Sequence, residues 1–324
     1  MRGSSTPGPA PGRAETLGPP AAAHAPGRGR GRALLLASSV LFGLAAMWAK
    51  VAARAGMGGG QATLVRFVLG LSMAVAVFRA RPGSFRPGRY GLLAVRGLVG
   101  GISALLYYLA IARIPAGEAT LLNNLFPIFA VIFSFFTLGE RPTGHLALAL
   151  LVASAGVWLV LGGGSIKLRL GGGEWIALLS AVAGGVAVTA IRALRSSVNA
   201  ITIFSSFAAG GALVSLPFGL SGWPGSPLAW AAALAAALAA FFAQMTMTES
   251  YGALSVPEAA VWQQLTPIAA YLCALPLGER PGGMGALGVL LGVGGVAYGS
   301  LLGHRPGPAA RPGAGVPVLP AEEP

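Results

Sequence analysis

From about residue 33 to residue 303 the chain is a succession of apolar runs, each roughly twenty residues long, separated by glycine–proline clusters or short basic stretches. About 20 apolar residues in a helix span the ~30 Å hydrocarbon core of a bilayer. Only 10% of residues are charged, against about 25% in a soluble domain, so much of the surface faces something other than water. Ten spans are expected, at about 33–53, 60–79, 90–111, 115–137, 144–163, 174–192, 199–219, 228–248, 254–276 and 283–303. The breaks fall at Gly58-Gly59-Gly60, Arg79 to Arg89, Pro115, Arg141-Pro142, Gly171-Gly172-Gly173, Arg195, Pro224-Gly225, Pro257 and Arg280-Pro281. Residues 1–32 and 304–324 are rich in Pro, Gly, Ala and Arg without period and read as disordered tails.

Basic residues in short loops orient such a chain. With the N-terminus inside, thirteen arginines, including Arg79, Arg81, Arg86, Arg89, Arg141 and Arg195, lie on the inner side, against five basic residues, Arg54, Arg113, Lys167, Arg169 and Arg280, outside. Both termini are therefore expected in the cytoplasm of a cell whose inner (plasma) membrane holds the protein. The net charge of +13 is spent on this orientation; no basic stripe interleaved with aromatics points to a nucleic acid. The single cysteine, Cys273, and the scattered His24, His145 and His304 offer no disulfide framework, metal site or cofactor. There is no Asp, no intramembrane His/Glu cluster and no Ser–His partnership, which argues against an enzyme.

The chain repeats itself. Leu138-Gly139-Glu140-Arg141-Pro142 recurs as Leu277-Gly278-Glu279-Arg280-Pro281 at an offset of 139, and Gly144, Ala147 and Gly156 then meet Gly283, Ala286 and Gly295. Upstream the offset becomes 140, laying Glu118 to Pro127 over Glu258 to Pro267, and farther back Gly43 and Lys50 meet Gly185 and Arg192 at 142. The repeats cover about 33–164 and 174–303. Five spans is an odd number, so the second repeat is inverted in the membrane, a plan recurrent among secondary transporters.

The proline-centred fourth and ninth spans, each ending in Gly-Glu-Arg-Pro, the arginine in Leu64-Val65-Arg66-Phe67 and the tandem ten-span layout together resemble the drug/metabolite transporter superfamily, in its EamA-domain branch. The resemblance covers nearly everything except the tails. It implies a ten-helix exporter fold with a central cavity lined by spans one, three, four, six, eight and nine, and it implies no particular substrate. It also makes Glu140 and Glu279 signature residues, here read as structural or gating groups.

The paired amides are the sharpest site signal. Asn123 and Asn124 lie within the fourth span, and Gln263 and Gln264 hold the matching places in the ninth. Polar groups inside a membrane are costly and face a bundle interior or a wet path. Pro127 and Pro267 stand four residues after Asn123 and Gln263; having no N–H, they free those two carbonyls. Amide side chain and bare carbonyl then coincide at one level in both repeats. They suit solute coordination or, alternatively, hydrogen bonding between helices. Gln244, Trp48, Tyr107 and Trp262 are further candidates to touch solute. Glu118 and Glu258 open the fourth and ninth spans, where they suit the helix dipole or a proton-coupling role. Arg141 and Arg280 sit beside Glu140 and Glu279 as available counter-charges, although neighbours in sequence need not pair. Arg66 and Arg96 lie several residues inside their spans, where they snorkel or serve as gating or anion-attracting groups. The pairs Gly97/Gly101, Gly288/Gly292 and Gly295/Gly299 permit close helix contact, either within the bundle or, in the tenth span, across a homodimer.

The expected function is a secondary transporter, an exporter of a small metabolite such as an amino acid, working by alternating access in the lipid bilayer with a small-molecule solute as its partner. A non-selective multidrug exporter, and a membrane assembly or regulatory protein without transport, are the other readings.

Overall fold

The computed structural model describes residues 27–111, 113–114, 116–162, 171–220, 222–277 and 283–302, and all regular secondary structure among them is helical. In chain order the helices are α1 (Arg28–Arg54), α2 (Gly59–Ala80), α3 (Tyr90–Ile111), α4 (Ala116–Asn123), α5 (Phe126–Leu138), α6 (Gly144–Gly162), α7 (Gly172–Leu194), α8 (Ala200–Gly219), α9 (Pro227–Ser250), α10 (Val256–Gln263), α11 (Leu265–Ala274) and α12 (Gly283–Leu302). Eight helical stretches among the described residues are long and apolar enough to cross a membrane. The other two expected runs fall short for separate reasons: α6 carries a shorter apolar stretch, Gly144–Val160, and the ninth run is cut at Gln264 into α10 and α11. The fourth run is likewise interrupted, at Asn124-Leu125 between α4 and α5.

α1 starts at Arg28, five residues ahead of the expected boundary. Arg28 and Arg32 are one helical turn apart on a shared face, and both reach Glu258, so this stretch of the expected tail is fastened into the bundle.

The two halves interleave. α1 packs along α9 and, equivalently, α3 along α7; α1 meets α11 as α7 meets α5; α2 pairs with α8 and α6 with α12. Each of these relations has its counterpart when the halves are exchanged, as a pseudo-twofold axis requires. The repeat-mate glycines serve this arrangement. A Cβ on Gly43 would lie 2.8 Å from the Ala269 carbonyl carbon, and one on Gly185 would lie 2.9 Å from the Ala130 nitrogen. Each glycine thus lets an unbroken helix press against the broken helix of the other repeat. The small-residue motifs are consumed internally. Gly97 and Gly101 of α3 face Ser206 and Gly211 of α8 (2.6 and 2.9 Å for a Cβ), and Gly288 and Gly295 of α12 face Gly156 and Ala153 of α6 (2.6 and 2.7 Å). With no hydrophobic force between helices in lipid, such close backbone contact supplies the dispersion that binds them.

Because the helices alternate in direction, the bundle has one end bearing the start of α1, the near end, and an opposite, far end.

Candidate functional site

The amide pairs meet where the broken helices cross. Asn124 Nδ2 donates to Gln264 Oε1 at 2.8 Å, a contact between two residues holding equivalent places in the two repeats. Gln264, fully buried, passes its own Nε2–H to Ser154 Oγ of α6 at 3.1 Å. Asn123 donates to the Ser180 hydroxyl of α7, and Gln263 donates to the Tyr251 hydroxyl just beyond α9. The interruptions at Asn124-Leu125 and at Gln264 give each amide this reach, since the chain leaves the α-helical path there before Pro127 and Pro267 begin the next segment. All four amides therefore donate to protein partners. Gln263 Oε1 is the exception to full satisfaction: it is buried and has no hydrogen-bond partner among the described residues.

Tyr107, of α3, joins the far side of this arrangement through its hydroxyl, 2.7 Å from Thr120 Oγ1 of α4. Trp262 is half-buried and packs against the apolar clusters around α5, α6 and α10. Trp48 is 37% exposed on α1 and has no hydrogen bond to the crossing. Gln244 is buried in α9, with its Nε2 lacking a partner among the described residues. The side chain of Glu118, and Glu279 altogether, lie outside the described residues.

Several charged contacts gather at the near end. Glu258, 3% exposed as a side chain, is bridged by Arg28 Nη2 at 3.0 Å and by Arg32 Nη2 at 2.9 Å, while Ser255 caps its helix by accepting the Glu258 N–H. Glu140 holds three helices: Arg192 Nε of α7 donates to its Oε1 at 2.7 Å, and the Val256 N–H that opens α10 donates to its Oε2 at 2.6 Å. Arg192 also donates to the Tyr251 carbonyl at 2.9 Å. Arg195 pairs with Glu249 at 3.0 Å; burial lowers its pKa and the carboxylate opposes that. The expected counter-charge for Glu140 is thereby corrected. Arg141, its neighbour in sequence, lies instead over the Phe135 ring at 5.8 Å. The cause is Gly139, whose φ of 67° turns the chain out of α5 and sends adjacent side chains to different surroundings. An acid at a helix C-terminus opposes the dipole, but Glu140 also lies at the positive N-terminus of α10.

Arg66 is half-buried on α2. Arg96, 3% exposed, stacks its guanidinium over Phe207 of α8, 3.9 Å from the ring centroid. Sequence reasoning missed Ser154, Ser180, Arg28, Arg32 and Arg192 as partners. The available signal was a hydroxyl or a cation inside or just beside an apolar run.

The crossing predicts a measurable coupling. Asn124→Leu or Gln264→Leu alone should destabilise the folded protein by about 1–3 kcal/mol, because each strands a buried amide. The double variant should cost less than their sum, by about 1 kcal/mol. Unfolding of the detergent-solubilised protein in a double-mutant cycle measures this, and a coupling of zero would mean that the two amides do not depend on each other.

The model of the EamA-like transporter family matches residues 29–162 and again 171–300. The pseudopaline exporter CntI of two Pseudomonas aeruginosa strains is 30% identical over 172 residues, 52% of this chain and 60% of the exporter. The match thus spans about three fifths of the curated relatives' length. A solved crystal structure, 26% identical, superposes with a TM-score of 0.69 over 82% of this chain and 98% of that one.

Proposed function

This chain belongs to the EamA-like transporter family, and from that premise we propose that it is a secondary transporter exporting a small metabolite across the inner membrane by alternating access. The observation that carries the reading is the crossing of two interrupted helices at repeat-mate amides, next to a near end fastened by ion pairs. Broken helices leave backbone and amide groups free to engage a solute as they part. The near end, which bears most of the basic residues, is the cytoplasmic end in this scheme, both termini lie there, and the chain crosses the membrane ten times. The ion-paired state is then the one closed to the cytoplasm. Glu258 is the candidate coupling acid whose surroundings are described: binding a proton there would slacken the hold on Arg28 and Arg32 and so on the start of α1. The relatives named above as exporters support the direction.

Alternating access requires the near end to open in every cycle. In a Cys273→Ser background, Glu140→Cys with Arg192→Cys, joined by a short bifunctional maleimide, is expected to abolish protein-dependent changes in the metabolites of the growth medium. The same pair left unjoined should retain part of the flux. Equal flux with and without the cross-link sinks the proposal.

A further inference from the structure

Arg96 stands apart from the other buried charges. Six residues into α3 from the near end, it does not turn back towards that surface. Its Nη1 rests where a Cβ on Gly100 would be, 2.5 Å away, so the side chain runs one turn deeper into the bundle. Its Nε is buried and has no hydrogen-bond partner among the described residues. The nearby charge is a like one, Arg66 across on α2. Neither arginine has an acidic partner or a hydrogen bond among the described residues, whereas Arg28, Arg32, Arg192 and Arg195 each have both or one of these. Buried charges are paired or bind something. A ring face, here Phe207, attracts the guanidinium but leaves its hydrogen-bonding edge unused.

A second unused polar group belongs to the broken helix α10. Tyr251, whose hydroxyl accepts from Gln263 Nε2, packs in one buried cluster with Leu93 of α3, and Gln263 Oε1 is itself without a partner among the described residues. α3 and the broken helix α10 thus each carry a buried polar atom without a partner among the described residues.

We propose that Arg66 and Arg96 form the anion subsite of the transport pathway, and that the solute is a net anion carrying a carboxylate together with a hydroxyl that serves Gln263. The planar guanidinium edge takes a carboxylate through two parallel N–H···O bonds. The second arginine supplies net positive charge without a competing protein anion, and Phe207 walls the apolar part of the solute. This inference rests on the transport reading above and narrows it to a substrate class.

The test compares growth medium from cells expressing the wild-type chain, Arg96→Gln, Arg96→Lys and Arg66→Gln, with membrane insertion verified for each. Compounds whose medium level depends on the wild-type chain are expected to bind an anion-exchange resin at pH 7 and to lose that binding after methyl esterification. Arg96→Gln should cut their change at least tenfold, and Arg96→Lys, which keeps the charge but not the planar edge, should fall between. Purified Arg96→Met should melt no lower than wild type, since the fold gives up an unpaired charge. Compounds that are neutral, cationic or phosphate-bearing overturn the carboxylate subsite while leaving transport intact. So does an Arg96→Met protein that melts lower yet transports normally, which makes the arginine a packing group. If no compound depends on the chain at all, the transport reading falls and this inference with it.

Discussion

Replacing Glu140 with alanine is expected to open the near end of the bundle in the resting protein. The carboxylate accepts two charge-assisted hydrogen bonds, from Arg192 and from the Val256 N–H, and ties α5 to α7 and α10. Hydrogen bonds to charged groups contribute roughly 1.5–3 kcal/mol each. The pair with Arg192 is partly solvated, its side chains 29% and 17% exposed, so we discount the total to about 2 kcal/mol. A shift of that size changes the ratio of closed to open forms about thirtyfold. The readout is a cysteine at Val256, a position with no exposed surface, in a Cys273→Ser background. A membrane-impermeant maleimide applied to inside-out vesicles should label it many times faster in the Glu140→Ala protein. Glu140→Gln, which keeps an acceptor for the Val256 N–H, should fall between. Equal labelling in all three would show that this carboxylate does not hold the end shut.

Gly156→Val is expected to be the most damaging single change at the seam between α6 and α12. A Cβ there would lie 2.6 Å from the Gly288 carbonyl oxygen, and the obstacle is backbone on the facing helix, which cannot swing aside like a side-chain tip. α6 and α12 must separate along their seam, losing contacts at Ala153–Gly295 and Ala149–Gly299 as well. Overpacking of this kind costs about 3 kcal/mol. Gly144→Ala, on the same helix with nothing within 4 Å, is the control and should change stability by about 0.5 kcal/mol at most. Thermal unfolding in detergent, together with the yield of monodisperse protein, measures both. A difference of less than about 1 kcal/mol between the two variants would mean that the seam is looser than described.

The helical class, the tandem repeat and the level of the amides were all legible in the sequence because each leaves a local mark: an apolar run, a recurring LGERP, a proline four residues after an amide. The interruptions at Asn124-Leu125 and Gln264 follow from those prolines. What the amides bond to was not legible. Ser154 and Ser180 look like any small residue in an apolar run, and what singles them out is the packing of α6 and α7 against helices remote in sequence. Glu258 finds its arginines some 230 residues away, in a stretch whose composition reads as tail. Glu140 illustrates the opposite error, in which adjacency suggested Arg141 although the left-handed turn at Gly139 separates the two. Arg96 was visible as a misplaced charge, but its inward direction follows only from where Gly100 leaves room.

The contact between Asn124 and Gln264 has a meaning for how such a chain could arise. These residues are counterparts, one in each half, so an ancestral half that paired with an inverted copy of itself would have brought this position face to face with its own duplicate. Few side chains tolerate that encounter in a membrane. Two carboxylates repel, as do two ammonium groups, and two aliphatic groups adhere without fixing an angle. A primary amide is donor and acceptor at once and is therefore self-complementary. A single five-helix unit with an amide at this place already has what it needs to recognise its upside-down twin, and fusing the two genes would only have made that partnership permanent and free to become unequal.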